Sequence, residues 1–243
     1  MFDVDILMSF FTLSLLEIVL GIDNLIFIAL VADGLPKEYR TKARVFGLAL
    51  ALIIRVVMLF SLSWIMQLTE PLFEVSGKTF SWRDVLLIGG GLFLMYKATQ
   101  EMHADIGGIE EKKAMVCKKT LRGAIFQIVL IDLVFSFDSI ITAVGMTDNL
   151  PVMIAAVVVA MVVMLLASGK ISQFLAEFPT FKMLAIAFIL MIGVVLVAQG
   201  MGVKVPKEYI YFAFAFSIFV ETMNTLASRR RKRLQKLREE KGQ

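Results

Sequence analysis

The sequence predicts an all-α polytopic membrane protein of seven transmembrane helices, built as an inverted repeat of three plus three helices with an extra C-terminal helix. Three observations predict it. Hydrophobic residues make up 58% of the 243, with a mean hydropathy of +0.81, more apolar surface than a soluble domain of this length can cover. The apolar runs are long enough to cross a bilayer core, at about 20 helical residues each. Basic residues collect in alternate loops, the pattern of a chain threaded back and forth through a membrane.

In order, the runs lie near Ile6–Val31, Val45–Leu68, Val85–Met102, Gly123–Met146, Leu150–Ser168, Phe181–Gln199 and Tyr209–Ala227. Strands are excluded as spans, because only closed barrels place sheet in lipid and their segments are short and alternating. Met1–Asp5 is acidic and the first run is long, so no cleavable signal peptide is expected. The single cysteine, Cys117, falls in a charged loop and implies no disulfide framework.

The net charge of +4 is explained by topology and not by nucleic acid. Lys37, Arg40, Lys42 and Arg44 follow the first run, and Lys112, Lys113, Lys118, Lys119 and Arg122 follow the third. Arg229, Arg230, Arg231, Lys232 and Arg233 form the largest cluster, while the opposite loops hold only Lys78, Arg83, Lys204 and Lys207. The bias places the N-terminus outside and the tail in the cytoplasm.

The chain reads as a duplication. Aligning Glu17 with Asp132 also aligns Gly21 with Ser136, Asp23 with Asp138 and Asn24 with Ser139. A repeat of three helices sets its second copy upside down, the plan of many secondary transporters whose sites lie between the repeats. Repeat one is expected at about 6–102, a cytoplasmic linker at about 103–119, repeat two at about 120–200 and the extra helix at about 207–227. Together these form a membrane domain over 1–227, followed by a basic cytoplasmic tail over 228–243. Gly89-Gly90-Gly91 follows no strand, so close helix packing is expected and not phosphate binding.

The motifs that carry chemistry are Glu17-Ile-Val-Leu-Gly-Ile-Asp23-Asn24 and Asp132-Leu-Val-Phe-Ser-Phe-Asp138-Ser139. An ionised carboxylate inside an apolar run is costly and calls for a cation, a proton or a water-filled cavity. Glu17 stands eleven residues into its run, about 16 Å along a helix and so near the middle of a core about 30 Å thick. On antiparallel helices the four carboxylates can meet there as an oxygen cage. Positions six apart on a regular helix point about 120° away from each other. One shared cage therefore requires a break near Gly21 or Ser136, which would also free backbone carbonyls as ligands. An unbroken helix would aim the carboxylates at two separate clefts.

Carboxylates, the Asn24 amide and the hydroxyls of Ser136 and Ser139 form an all-oxygen set, suited to a hard divalent cation such as Mn²⁺, Mg²⁺ or Ca²⁺. The only histidine, His103, sits at a helix end, so the set lacks the nitrogen and sulfur ligands of zinc or copper sites. The expected metal site is Glu17, Asp23, Asn24, Asp132, Asp138 and Ser139, with Arg55, Glu221 and Asn224 as accessory candidates. Arg55, midway along the second run, either balances the carboxylates when no metal is bound or snorkels along a cavity. Glu221 is either a further ligand or a hydrogen-bonded structural carboxylic acid. Four ionised carboxylates around one divalent ion leave a net −2, so some of them are expected to hold protons that metal binding releases. No nucleophile–base pair or cofactor motif is apparent, and no enzyme activity is expected.

At these two motifs the chain resembles the TerC family of integral membrane proteins, over nearly its whole length and most closely its compact bacterial branch. The resemblance implies a multi-pass protein of the bacterial cytoplasmic (inner) membrane within the LysE transporter superfamily, some of whose members are linked to manganese efflux. It carries the metal-site role onto Glu17, Asp23, Asn24, Asp132 and Asp138; Ser139, standing where the first copy has Asn24, departs from the pattern. The expected function is divalent metal export, manganese first, coupled to protons through the carboxylate site. The alternative is a non-transporting membrane partner in metal delivery to, or insertion of, exported proteins. Export of small organic solutes is a third reading and predicts a roomy apolar cavity. Expected partners are the lipid bilayer, the metal ion and protons, with a membrane protein or a second copy as further candidates and no nucleic acid.

Overall fold

A computed structural model describes residues 4–61, 71–75, 78–107, 120–144, 146–147 and 149–241; the side chains of residues 5, 71, 73, 75, 78, 138, 142, 207, 208 and 229–241 are outside that description. Residues 62–68 of the expected second span, most of the expected linker including Cys117, and the side chains of the basic tail therefore lie outside the described residues.

The described chain forms helices α1 (Val4–Leu20), α2 (Ile22–Asp33) and α3 (Lys37–Phe60), a hairpin of β1 (Pro71–Val75) and β2 (Lys78–Ser81), then α4 (Trp82–Ile106), α5 (Leu121–Val144), α6 (Leu150–Glu177), α7 (Pro179–Gly200) and α8 (Lys207–Lys241). Among the described residues five helices are long and apolar enough to cross a membrane, and six if α1 and α2, bent by 41° at Gly21, count as one span. The protein is a polytopic helical membrane protein. α4 falls outside that set, because polar residues such as Lys97, Gln100 and Glu101 occupy its second half.

One feature departs from the sequence expectation. The described part of the second span is α3, from Lys37 to Phe60, with the N–H of Ser61 donating to Val57 O. An antiparallel hairpin, not expected from the apolar pattern, precedes α4. Such a two-stranded ribbon keeps unpaired edges, which water can satisfy outside the bilayer and lipid cannot. It delivers Ser81 as the cap of α4. Asp84 N–H donates to Ser81 Oγ, and Ser81 N–H donates to Asp84 Oδ2 at 2.8 Å, a capping box that starts the helix sharply.

The core is built around α2. Every residue from Asp23 to Ala32 is buried, the signature of a helix enclosed on all sides. It packs against α6, α5 and α3. Around it α1 packs on α6, α3 on α5 and α6, and α4 on α7. The α4–α7 contact depends on glycine. A Cβ at Gly91 would lie 2.6 Å from Gly193 O, and one at Gly193 would lie 2.8 Å from Gly91 O. Gly90 similarly meets Val134 of α5, while Gly89 faces open space. The glycine run is thus a packing surface at two of its three positions.

α8 stands at the edge of the bundle. Among its described side chains the first turns are the anchored part, with Ile210 buried and the Phe214 ring stacked on Phe188 of α7 at 3.8 Å between centroids. Phe212 and Phe216 are exposed, the orientation of side chains that face lipid. The helix continues without interruption through position 228 to Lys241.

Candidate cation site

The bend at Gly21 decides how the first motif presents its side chains. α1 stops at Leu20 and α2 resumes at Ile22. Gly21 keeps ordinary helical torsions, φ −83° and ψ −5°, so conformational freedom does not explain the residue. Space does: an added Cβ would lie 2.6 Å from Met164 Sδ. The bend turns both Glu17 and Asp23 onto one cavity, which α1 and α2 would not do as a straight helix. The backbone is not unwound, however. Gly21 N–H donates to Glu17 O at 2.8 Å, and Leu25 N–H donates to Gly21 O at 2.9 Å. Those two carbonyls are thus occupied within the helix, against the expectation that a break would release backbone oxygens. The second motif shows no break, since α5 runs uninterrupted through Ser136.

The cavity is lined by Glu17, Asp23, Asn24, Arg55, Ser139 and Tyr211, with Leu20, Gly21 and Phe135 completing the wall. Its volume is about 10 Å³, room for one water or one small ion. Glu17, Asn24 and Arg55 are each 2% exposed and Asp23 is 5% exposed. Charged groups this deep are tolerated only when paired or when they serve a bound ion.

Arg55 supplies the pairing. Its Nη1 donates to Glu17 Oε2 at 2.7 Å, and its Nη2 donates to Asp132 Oδ1 at 3.0 Å. One guanidinium thereby joins α1, α3 and α5. Asp132 also accepts from Asn24 Nδ2 at 3.2 Å and from Ser136 Oγ at 3.0 Å. Ser136 is therefore a donor to Asp132. Ser139 Oγ donates to Ser136 O at 3.3 Å. On the opposite wall Tyr211 Oη donates to Asp23 Oδ2 at 3.3 Å. Glu17 Oε1, Asn24 Oδ1 and Arg55 Nε are buried with no hydrogen-bond partner among the described residues.

Of the residues expected at the site, Glu17, Asp23, Asn24 and Ser139 line this one cavity. Asp132 is linked to it through Arg55 and Asn24. The Asp138 side chain lies outside the described residues. Glu221 and Asn224 do not line the cavity: Glu221 is half-buried on α8 and Asn224 is exposed. Among the described residues no three Asp, Glu, His or Cys side chains converge tightly enough to hold a metal by themselves; Arg55 stands between Glu17 and Asp132. Tyr211 is the residue the motif reading passed over. Its signal is a phenol one turn inside α8, at the start of that helix's apolar stretch, where a polar tip needs a partner.

A second ionic cluster lies where four elements end. Lys182 Nζ in the first turn of α7 is 3.3 Å from Asp33 Oδ2 and 3.3 Å from Asp105 Oδ1. Arg40 of α3 pairs with the other oxygen of Asp33 at 2.5 Å.

Comparison with known proteins agrees with this architecture. The family described as integral membrane protein TerC family matches residues 2–236. The inner membrane protein YoaE of Escherichia coli K12 is 49% identical over 219 residues, covering 90% of this chain and 42% of that protein. YegH of the same strain is 47% identical over 223 residues, 91% of this chain and 42% of that protein. The chain thus spans about two fifths of the length of these relatives. The inner membrane protein YgdQ of the same strain is 47% identical over 219 residues, 90% of this chain and 92% of that protein. All three carry the designation UPF0053. No solved structure gives a significant match. With the match running from residue 2 to 236, the chain belongs to the TerC family of integral membrane proteins.

Proposed function

We propose that this protein is a divalent-cation transporter of the bacterial inner membrane, exporting manganese in exchange for protons. One observation carries the reading: buried Glu17, Asp23, Asn24 and Ser139, from α1, α2 and α5, surround a single ion-sized space. Its donors are oxygens, which suits Mn²⁺, Mg²⁺ or Ca²⁺ over softer metals. Asp132 and Asp138 complete the proposed set from α5. With Glu17, Asp23 and Asp132 ionised, Arg55 leaves a net −2, which a divalent ion balances and protons balance in its absence. The small volume favours an ion over an organic solute as cargo.

The helix pairings support an inverted repeat of α1–α4 and α5–α7. α1 packs on α6 as its counterpart α5 packs on α3, and α4 pairs with its own counterpart α7. α4 is then a span despite its polar half, shielded by neighbours, and α8 is the seventh. Rocking of one half against the other would expose the cavity to alternate sides.

Manganese flux into proteoliposomes, with and without a pH gradient, tests the function. Wild type is expected to move manganese, faster with an opposing proton gradient, and Asp23→Asn to lose most of that flux. Metal binding without flux in wild type would instead favour the membrane-partner role.

A further inference from the structure

We propose that Arg55 is a tethered counter-cation: it holds Glu17 and Asp132 in the empty carrier and is displaced from them when the divalent ion binds. The proposal rests on the transport reading above and adds what occupies the site between cargo ions.

The geometry is that of an exchangeable cation. An arginine paired with a single carboxylate frequently meets it through two parallel bonds. Arg55 does not. It gives one N–H to Glu17 at 2.7 Å and another to Asp132 at 3.0 Å, bridging two carboxylates from α1 and α5 as a metal ion would. Its Nε and Glu17 Oε1 are both buried and have no partner among the described residues. Asn24 Oδ1 is likewise buried without a partner. Glu17 and Asn24, each 2% exposed, line the ion-sized cavity beside the guanidinium. Two oxygens are therefore available to a cation entering that space.

Charge then decides between coexistence and exchange. Glu17 and Asp132 with Arg55 sum to −1, and with a divalent ion in its place they sum to zero. Holding both cations on that one pair would set two positive charges side by side in a poorly screened interior, +1 before Asp23 is counted. Exchange is the favoured outcome. A cation on a side chain cannot leave with the cargo, so the empty carrier keeps its carboxylates paired while it returns. Asp23, hydrogen-bonded to Tyr211 across the cavity, is assigned as the carboxylate for the exchanged proton.

Competition of this kind lowers apparent affinity by the fraction of molecules whose site is not held by the arginine. The test is equilibrium Mn²⁺ binding to the purified full chain in detergent, by calorimetry, for wild type, Arg55→Gln, Arg55→Lys and Glu17→Gln. Arg55→Gln is expected to bind Mn²⁺ about tenfold more tightly than wild type, and Glu17→Gln to bind far more weakly. Wild-type binding with equal or weaker binding by Arg55→Gln overturns the proposal and leaves the transport reading standing. No Mn²⁺ binding by wild type overturns both. If Arg55→Gln does not fold, Arg55→Lys decides: a single ammonium replaces the fork, and affinity is expected to rise about threefold, with an unchanged value counting against the proposal.

Discussion

Lys182 reaches Asp33 across 149 positions of sequence, Nζ to Oδ2 3.3 Å, and so ties the first turn of α7 to the last residue of α2. The same ammonium lies 3.3 Å from Asp105 of α4. The Lys182 and Asp105 side chains are 10% and 7% exposed, and that of Asp33 is 23% exposed. This is a partly desolvated cluster, worth more than a surface pair and less than a fully buried one. Lys182→Met keeps the apolar stem and removes the charge. It is expected to destabilise the protein by about 1–3 kcal/mol, seen as a lower thermal midpoint in detergent. Asp105→Asn in the same chain is expected to recover part of that loss. An unchanged midpoint for Lys182→Met would mean that the cluster contributes nothing to stability.

How much of this was legible beforehand follows from what each signal encodes. Apolar runs report burial in lipid, so the helical architecture could be read directly. The same signal is silent on where a helix ends outside the membrane, which is why the hairpin over Pro71–Ser81 was not expected. The paired carboxylates pointed to one buried site, and Glu17 and Asp23 do share a cavity. Gly21 identified the bend, but α5 has no break at Ser136. The reason is visible in the side chains. Gly21 admits Met164 where a Cβ would collide, whereas Ser136 turns its hydroxyl to Asp132 four residues earlier on an intact helix. Balance of the carboxylates by Arg55 was one of its two expected roles, but which two it bridges from a third helix was not legible, nor was the reach of Tyr211 to Asp23 from a fourth. Contacts of this range leave no periodic trace in a sequence.

The glycine run of α4 offers an internally controlled test. Gly91→Ala would put a methyl group 2.6 Å from Gly193 O, a backbone atom that cannot rotate aside. The α4–α7 pair must then part, at about 1–3 kcal/mol. Gly89→Ala meets nothing within 4 Å and gains helix propensity of up to about 1 kcal/mol. Thermal unfolding in one detergent is expected to lower the midpoint for the first variant and leave the second at or above wild type. Equal behaviour of the two would contradict the packing.

The bend at Gly21 can be challenged through its neighbour. Gly21→Ala would bring a Cβ 2.6 Å from Met164 Sδ and 2.9 Å from Glu17 O. The sulfur sits near the end of a flexible side chain and the carbonyl does not. The variant is expected to lose about 1–2 kcal/mol of stability and to weaken Mn²⁺ binding by shifting Glu17 relative to Asp23. Met164→Ala added to Gly21→Ala is expected to restore part of the stability by opening space on one side. Calorimetric Mn²⁺ binding and thermal midpoints on the single and double variants check both parts. Full Mn²⁺ affinity in Gly21→Ala would show that the bend does not set the site.

Orientation in the membrane follows from where charge gathers. The start of α3, with Lys37, Arg40 and Arg44, and the end of α4 were each expected on the cytoplasmic side from loop charges alone. In the fold they converge, because Asp33–Arg40, Asp105 and Lys182 form one cluster joining the ends of α2 and α4 to the starts of α3 and α7. A single face therefore carries all of these ends. The hairpin and the start of α4 belong to the far end of the same helices, about 35 Å away along α3 and α4. α8 follows α7, which finishes at that far face, and is expected to cross back and carry Arg229–Arg233 to the basic face. Alkaline phosphatase joined after Ser228 is expected to be inactive, and a fluorescent reporter at the same point to fold and glow. Phosphatase inserted in the hairpin turn, between Val75 and Lys78, is expected to be active. The reverse pattern at the two sites would invert the topology and, with it, the direction of transport assigned to the cation site.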